Sequence, residues 1–486
     1  MRVRRALAWS GLGQVMSFVI NFGGSVLIAR LLSPSEMGTF VIGAATVGLI
    51  SAFTSLSVGA YVVRERQLTS SIVDTAFTLN AILAVGLSLA VLTVSRISAA
   101  VLGSVEAGQV LTVLAITPAL GVLTFRPATL LQREGDFRAI SVISTTSMLV
   151  GTGTSIGLAL HGEAYMSPAW GGLASSIVTL VGYTIFGYRH IAFKFGFKQW
   201  SEILSFGMSM VTITGAATMA ARLSEIGLGR LLGLNALGYY SRASNLSNQI
   251  FENVYGTATR VVFVHLSEKH RTTGDISQAF LRSFRLITGV MWPLLLGLAI
   301  LSPMLIMTIY GKQWISVASP LAVLLVAQIV ALFFGMNWEL FVIRNETALQ
   351  TRIELTRSAV GLAIFFVGCM FSITAAAIGR LVDNLIAFAL YRRHISRLSG
   401  SSDRELYSAY YEGLILCGSA TMPIALVMLN QHWSAYAPLL MVIPAIIAGM
   451  LLWIGALLWL RHPLIDEALA LRAALLRKGS HVSRHI

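Results

Sequence analysis

Charge is scarce in this chain. Of 486 residues only 12% are Asp, Glu, Lys or Arg, against about a quarter in soluble domains, while 56% are hydrophobic and the mean hydropathy is +0.76. A water-soluble core cannot absorb that much apolar side chain, which excludes the soluble fold classes. Cysteine is scarcer still. Cys369 and Cys417 both sit in apolar stretches, far apart and without His or carboxylate at metal-ligand spacing, so both read as small core hydrophobes. Acidic residues number 21 against 35 Lys and Arg, a net charge of +14. In a soluble protein that excess would suggest nucleic acid. Here the basic residues fall in short gaps between apolar stretches, a topology signal, and no nucleic-acid partner is expected. No Gly-rich phosphate loop and no nucleophile triad is present, and no gap has room for a soluble catalytic domain. The chain therefore reads as no enzyme, with no cofactor and no metal site.

What is present is a series of apolar stretches, each long enough to cross a bilayer at about 20 residues. They fall at 6–32, 38–63, 73–97, 107–131, 138–160, 168–188, 201–222, 235–262, 284–308, 317–343, 353–373, 375–395, 408–429 and 437–460. The expected fold class is all-α integral membrane with about fourteen spans. The Met1–Arg5 start is expected to open a first span rather than a signal peptide, since the run carries Gln14 and Asn21 and shows no Ala-x-Ala site. The pair at 353–395 is separated only by Ser372 to Thr374 and reads as two spans or one broken one.

With the N-terminus in the cytoplasm, the positive-inside rule is satisfied throughout. Arg2, Arg4, Arg5, Arg64, Arg66, Arg133, Arg138, Arg189, Lys194, Lys198, Lys269, Arg271, Arg282, Arg344, Arg352, Arg357, Arg392, Arg393, Arg397 and Arg404 fall inside. Arg30, Arg96, Arg222, Arg230 and Lys312 fall outside. The tail after Arg461 has Leu464, Ala468, Leu471 and Leu475 at helical spacing, with Arg472, Arg477 and Lys478 opposite. It is expected to lie on the cytoplasmic membrane surface.

An internal repeat is visible. Residues 30–40 read Arg-Leu-Leu-Ser-Pro-Ser-Glu-Met-Gly-Thr-Phe, and 230–240 read Arg-Leu-Leu-Gly-Leu-Asn-Ala-Leu-Gly-Tyr-Tyr. The first joins spans one and two, the second spans seven and eight. An even number of spans lies between them, so the halves share one orientation, as in transporters that work by alternating access. A weaker echo pairs 130–134 with 342–346.

These residues resemble the polysaccharide exporters of the multidrug/oligosaccharidyl-lipid/polysaccharide superfamily, the group of Wzx-type O-antigen and exopolysaccharide flippases. The matching stretches are Ala29-Arg30-Leu31-Leu32 with Pro34 and Gly38, and Leu131-Gln132-Arg133-Glu134 with Phe137-Arg138. Leu231-Leu232-Gly233, Leu237 to Ala243 and Gly311-Lys312-Gln313-Trp314 complete them. The resemblance implies two six-helix lobes, 1–200 and 201–397, in a V around a central cavity, two further helices within 398–460 and the tail 461–486. It implies the bacterial inner membrane and a polyprenyl-pyrophosphate-linked oligosaccharide as cargo. A polysaccharide polymerase and a chain-length regulator are the implied partners beside the lipid bilayer. The family often has an acid before the glycine near the end of span two, where this chain reads Ser55-Leu56-Ser57-Val58-Gly59. The resemblance therefore does not extend to ion coupling there.

A sugar and a pyrophosphate need a hydrophilic path. Span one offers Ser10, Gln14, Ser17, Asn21 and Ser25 on one face, span seven Thr214, Thr218 and Arg222, and span eight Ser241, Ser244, Asn248, Glu252, Tyr255 and Thr259. Gln14, Asn21, Asn248, Glu252 and, in span twelve, Asp383 are read as cavity lining; the small hydroxyls equally suit helix packing. Arg126, Arg222, Arg242 and Arg380 are candidates for the pyrophosphate, because guanidinium matches phosphate in charge and fork geometry. Arg380 and Asp383 alternatively neutralise each other one turn apart, and Arg126 alternatively snorkels to the headgroups. Two other readings stay open. A drug/cation antiporter of the same superfamily usually needs buried acids, which are few here, and a polysaccharide polymerase would be expected to carry a large external loop.

Overall fold

The computed structural model describes the backbone of residues 2–54 and 58–470, and the side chains of these except 2–15, 53–54, 209–214 and 216–217. The side chains of Ser10, Gln14 and Thr214, the Ser55–Ser57 segment, and Leu471, Arg472, Leu475, Arg477 and Lys478 lie outside the described residues. All secondary structure among the described residues is helical. Among the described residues ten helical stretches are long and apolar enough to cross a membrane. A helix satisfies its backbone hydrogen bonds internally, which is what hydrocarbon demands.

The chain divides into two compact units, Met1–Ser241 and Arg242–Ile486. The first contains α1 (Arg2–Leu31), α2 (Pro34–Thr54), α3 (Val58–Arg64), α4 (Ser70–Arg96), α5 (Ser98–Val101), α6 (Val105–Leu114), α7 (Ile116–Glu134), α8 (Phe137–Leu160), α9 (Ser167–Phe186) and α10 (Trp200–Leu232). Small residues bring its helices close. Gly151 faces Ser175 and Gly171 faces Ser155 between α8 and α9, and Gly24 of α1 faces Thr152 of α8. Between α7 and α8, Gly135 takes φ +73 and Asp136 accepts the Ala139 amide at 3.1 Å, so one residue ends a helix and the next caps its successor.

The second unit takes most of α11 (Leu234–Thr273), then α12 (Ser277–Ile300), α13 (Ser302–Ile309), α14 (Ala318–Leu332), α15 (Asn337–Ile343), α16 (Thr347–Cys369), α17 (Ile373–Ser399), α18 (Asp403–Asn430) and α19 (Leu439–Trp459). Its core is aromatic. Trp292 and Phe333 rings lie 4.6 Å apart and Phe333 and Tyr410 5.0 Å apart, with Gly413 leaving room for Trp292. Cys369 and Cys417 are both buried, as expected of small core residues.

Several apolar stretches that read as continuous are broken. The 284–308 stretch ends one helix at Ile300 and restarts at Ser302, with Pro303 in the first turn where its missing amide costs nothing. The 317–343 stretch breaks between Leu332 and Asn337, where Met336 takes φ +58. Two tyrosines satisfy the break: Met336 N donates to Tyr255 OH at 2.7 Å, and Tyr410 OH donates to Phe333 O at 2.9 Å. The 353–395 region is two helices. Ser372 caps α17 by accepting the Ala375 amide at 3.0 Å, and Gly368 lets α16 approach the Ala375 backbone. Pro127 and Pro293 lie inside helices.

After α19 the chain turns at Arg461 (φ +47) and tucks His462, only 1% exposed, beside Gly289 of α12, while Arg282 pairs with Glu467 at 2.8 Å. Burial, and then the charge of Arg285, push the His462 imidazole down to about 4. Because the folded value lies below the ordinary one, the docked segment gains its full stability above about pH 6.5 and loses it as pH falls toward 4. The thermal midpoint of detergent-solubilised protein should drop over that window by the equivalent of at most about 3 kcal/mol. His462→Phe should flatten the drop; an unchanged pH profile in that variant would contradict the assignment.

Candidate functional site

In the first unit the two repeated turns touch. Gly38 lies against the Leu234 carbonyl and Gly238 against the Pro34 carbonyl, so each turn offers its glycine to the equivalent position of the other. In the first copy Ser33 and Glu36 cap each other, with Glu36 Oε2 accepting the Ser33 amide at 2.7 Å.

The sequence-derived residues of this unit fall into different surroundings. Asn21 is exposed on α1. Arg222 of α10 lies across Gly48 of α2, where the missing Cβ makes room for its side chain. Its Nη1 donates to Glu225 at 2.8 Å, its Nε is buried and finds no hydrogen-bond partner among the described residues, and the side chain is 40% exposed. Arg126 is held in the structure: it pairs with Asp74 of α4 at 2.7 Å and reaches the Ala192 carbonyl at 3.4 Å. Asp74 was not singled out from sequence, since nothing in its spacing links it to a residue fifty positions on.

In the second unit α11 presents a polar face. Asn245, Asn248, Glu252, Asn253, Thr257 and Arg260 are all exposed along it. Asn248 Oδ1 accepts from Gln328 of α14 at 3.1 Å, which fixes the amide. Arg242, one turn earlier, is 6% exposed, its guanidinium 5.3 Å from the Tyr310 ring and 5.4 Å from the Trp314 ring. The faces of the two rings attract the guanidinium between them.

A hub joins α16 and α17. Arg357 Nε donates to Asp383 Oδ1 and Nη2 to Oδ2, each at 3.3 Å, while Nη1 donates to Glu354 at 3.2 Å. Tyr391 OH donates to Glu354 at 2.7 Å, and Asn384 Nδ2 donates to the Ala327 carbonyl of α14 at 2.7 Å. Gly361 stands opposite Asp383, where a methyl group would lie 2.6 Å from Oδ1. Asp383 is 4% exposed. Arg380 lies 5.3 Å over the Phe365 ring of α16. The structure thus gives Asp383 a partner on the neighbouring helix and sets Arg380 against an aromatic face. The sequence counts Arg357 only among the inside basic residues and does not single out Glu354; their spacing of one turn inside a long helix is the available signal.

The family model described as "Polysaccharide biosynthesis protein" matches residues 27–319. The chain is 24% identical over 313 residues to the succinoglycan biosynthesis transport protein ExoT of Rhizobium meliloti (strain 1021), covering 64% of this chain and 63% of that protein. It is 21% identical over 321 residues to the lipopolysaccharide biosynthesis protein WzxC of Escherichia coli (strain K12), covering 65% of each. The matches therefore span just under two thirds of these relatives' length. Among solved structures, the chain is similar to the lipid II flippase MurJ in its inward closed conformation, with a TM-score of 0.69 at 15% identity over 94% of this chain and all of that one. That likeness is one of fold.

Proposed function

This chain belongs to the polysaccharide biosynthesis protein family, whose model covers more than half of it, and from that premise we propose that it flips a lipid-linked oligosaccharide across the cytoplasmic membrane. The cargo is a polyprenyl-pyrophosphate-linked repeat unit for exopolysaccharide or lipopolysaccharide assembly, moved by alternating access of the two repeated halves within a topology of about fourteen spans. Both termini lie in the cytoplasm, and a polymerase and chain-length regulator take the product onward.

The observation that carries this reading is the exposed polar face of α11. Each unsatisfied polar group in hydrocarbon costs about several kcal/mol, so a membrane helix with Asn248, Glu252, Asn253 and Arg260 on its surface serves a hydrophilic route. Arg380, in the same unit as the polar face of α11, is the cation we assign to the pyrophosphate. Arg126, tied to Asp74, and Arg242, enclosed by aromatics, hold the fold instead.

Deleting the gene in its host should make complete lipid-linked repeat units accumulate on the cytoplasmic leaflet and surface polymer disappear, both read by mass spectrometry. Complementation with wild type should restore polymer. Asn248→Leu combined with Glu252→Leu should not, while remaining folded, since both side chains are exposed. Exported but unpolymerised single repeats in the deletion strain would point to a polymerase and sink the proposal. Full export by the double variant would remove α11 from it.

A further inference from the structure

Between α9 and α10 the chain crosses the end of α4 as a strap, residues 191–199. Three contacts pin its main chain: Thr75 Oγ1 donates to the Lys198 carbonyl at 2.6 Å, Gly196 N donates to Thr78 Oγ1 at 2.9 Å, and Arg126 reaches the Ala192 carbonyl at 3.4 Å. Gly196 lies so close that a methyl group there would be 2.9 Å from the Thr75 amide. The strap is therefore a fixed surface.

What it displays is unusual. Phe193, Phe195 and Phe197 are 55%, 69% and 69% exposed, and they alternate with Lys194 and Lys198, which are exposed too. From Gly187 to Ser201 the sequence has Arg189, Lys194 and Lys198 and no acid. A phenylalanine left in water forgoes about 1.5–3 kcal/mol of burial, and a lysine in hydrocarbon costs about as much. Only the boundary between acyl chains and headgroups satisfies both. The C-terminal ends of α3 and α7 meet, Arg133 Nη1 donating to the Val62 carbonyl at 2.6 Å.

We infer that the strap is a binding site for anionic phospholipid headgroups, its rings seated in the acyl boundary and Lys194 and Lys198 on phosphate. The recognition needs alternation of ring and cation on a rigid main chain, and charge complementarity names the occupant. Because Ala192 shares Arg126 with Asp74, a lipid held here would also stiffen the junction of α4 and α7. The inference is independent of the cargo and would stand if the flippase reading failed.

The test is native mass spectrometry of the full chain released from nanodiscs containing phosphatidylglycerol and phosphatidylcholine. Wild type should retain phosphatidylglycerol selectively. Lys194→Gln with Lys198→Gln should weaken that retention about 30-fold, equivalent to about 2 kcal/mol at about 1 kcal/mol per lysine near an anionic surface. Lys194→Arg with Lys198→Arg should keep it. Equal retention of both lipids by wild type, or undiminished retention by the glutamine pair, would overturn the proposal. So would an equal loss in Lys269→Gln with Arg271→Gln, which removes the same charge from the end of α11.

Discussion

Replacing Gly38 or Gly238 with Ala should be among the most damaging single-methyl changes in the protein. A Cβ at either position overlaps a main-chain carbonyl oxygen of the opposite turn, Leu234 in one case and Pro34 in the other. A clash with the tip of a flexible side chain can relax, whereas a carbonyl moves only with its helix terminus. Overpacking of cores costs about 1–3 kcal/mol, and we expect each variant at or above the upper value. Gly23→Ala and Gly121→Ala are the controls: none of the described residues lies within 4 Å of a methyl group there, and Ala favours a helix over Gly by about 1 kcal/mol. Thermal unfolding of solubilised protein should show midpoints lowered for the first pair and level or raised for the second. The double variant Gly38→Ala with Gly238→Ala should cost less than the sum, because one separation of the turns relieves both overlaps. Wild-type midpoints at both positions would mean that the turns do not meet as described.

Arg357→Gln should produce the second large loss. It would leave Asp383, 4% exposed, without its bidentate cation, and Glu354 without its ion pair but still accepting from Tyr391. Removing one partner of a buried pair typically costs about 3–5 kcal/mol, because an uncompensated charge stays behind. The pattern across a cycle is the sharper result. Asp383→Asn alone should also destabilise, but the joint change Arg357→Leu with Asp383→Leu should recover much of the loss, since neither charge then remains. Folded yield and unfolding midpoint in detergent would read it. If the joint variant fell as far as the sum of the single changes, the pair would not be acting as a unit.

The hub shows where reading the sequence ran out. Asp383 was visible as an acid inside a span, and Arg380 was the nearest cation along the helix, so local spacing suggested that pair. The actual partner, Arg357, lies on the preceding helix, where the sequence shows it only as one of the inside basic residues. Asn248 with Gln328 and Arg126 with Asp74 have the same character. Each residue advertised itself by polarity in an apolar run, and each partner was set by which helix packs beside it. Arg242 makes the converse point. Tyr310 and Trp314 close over its charge, and no periodicity along its own helix carries that information.

Helix type, multi-pass character, the buried cysteines and the repeated turn were determined by the sequence alone. They depend on composition and on spacing along one segment, and hydrocarbon tolerates few other arrangements. Tertiary structure decided where apolar runs break, as at 333–336, and that the repeated turns meet glycine to carbonyl. It also decided which charges neutralise one another and which remain exposed. Those outcomes depend on side chains and carbonyls brought together from distant segments, and a chain read in order holds no record of that proximity.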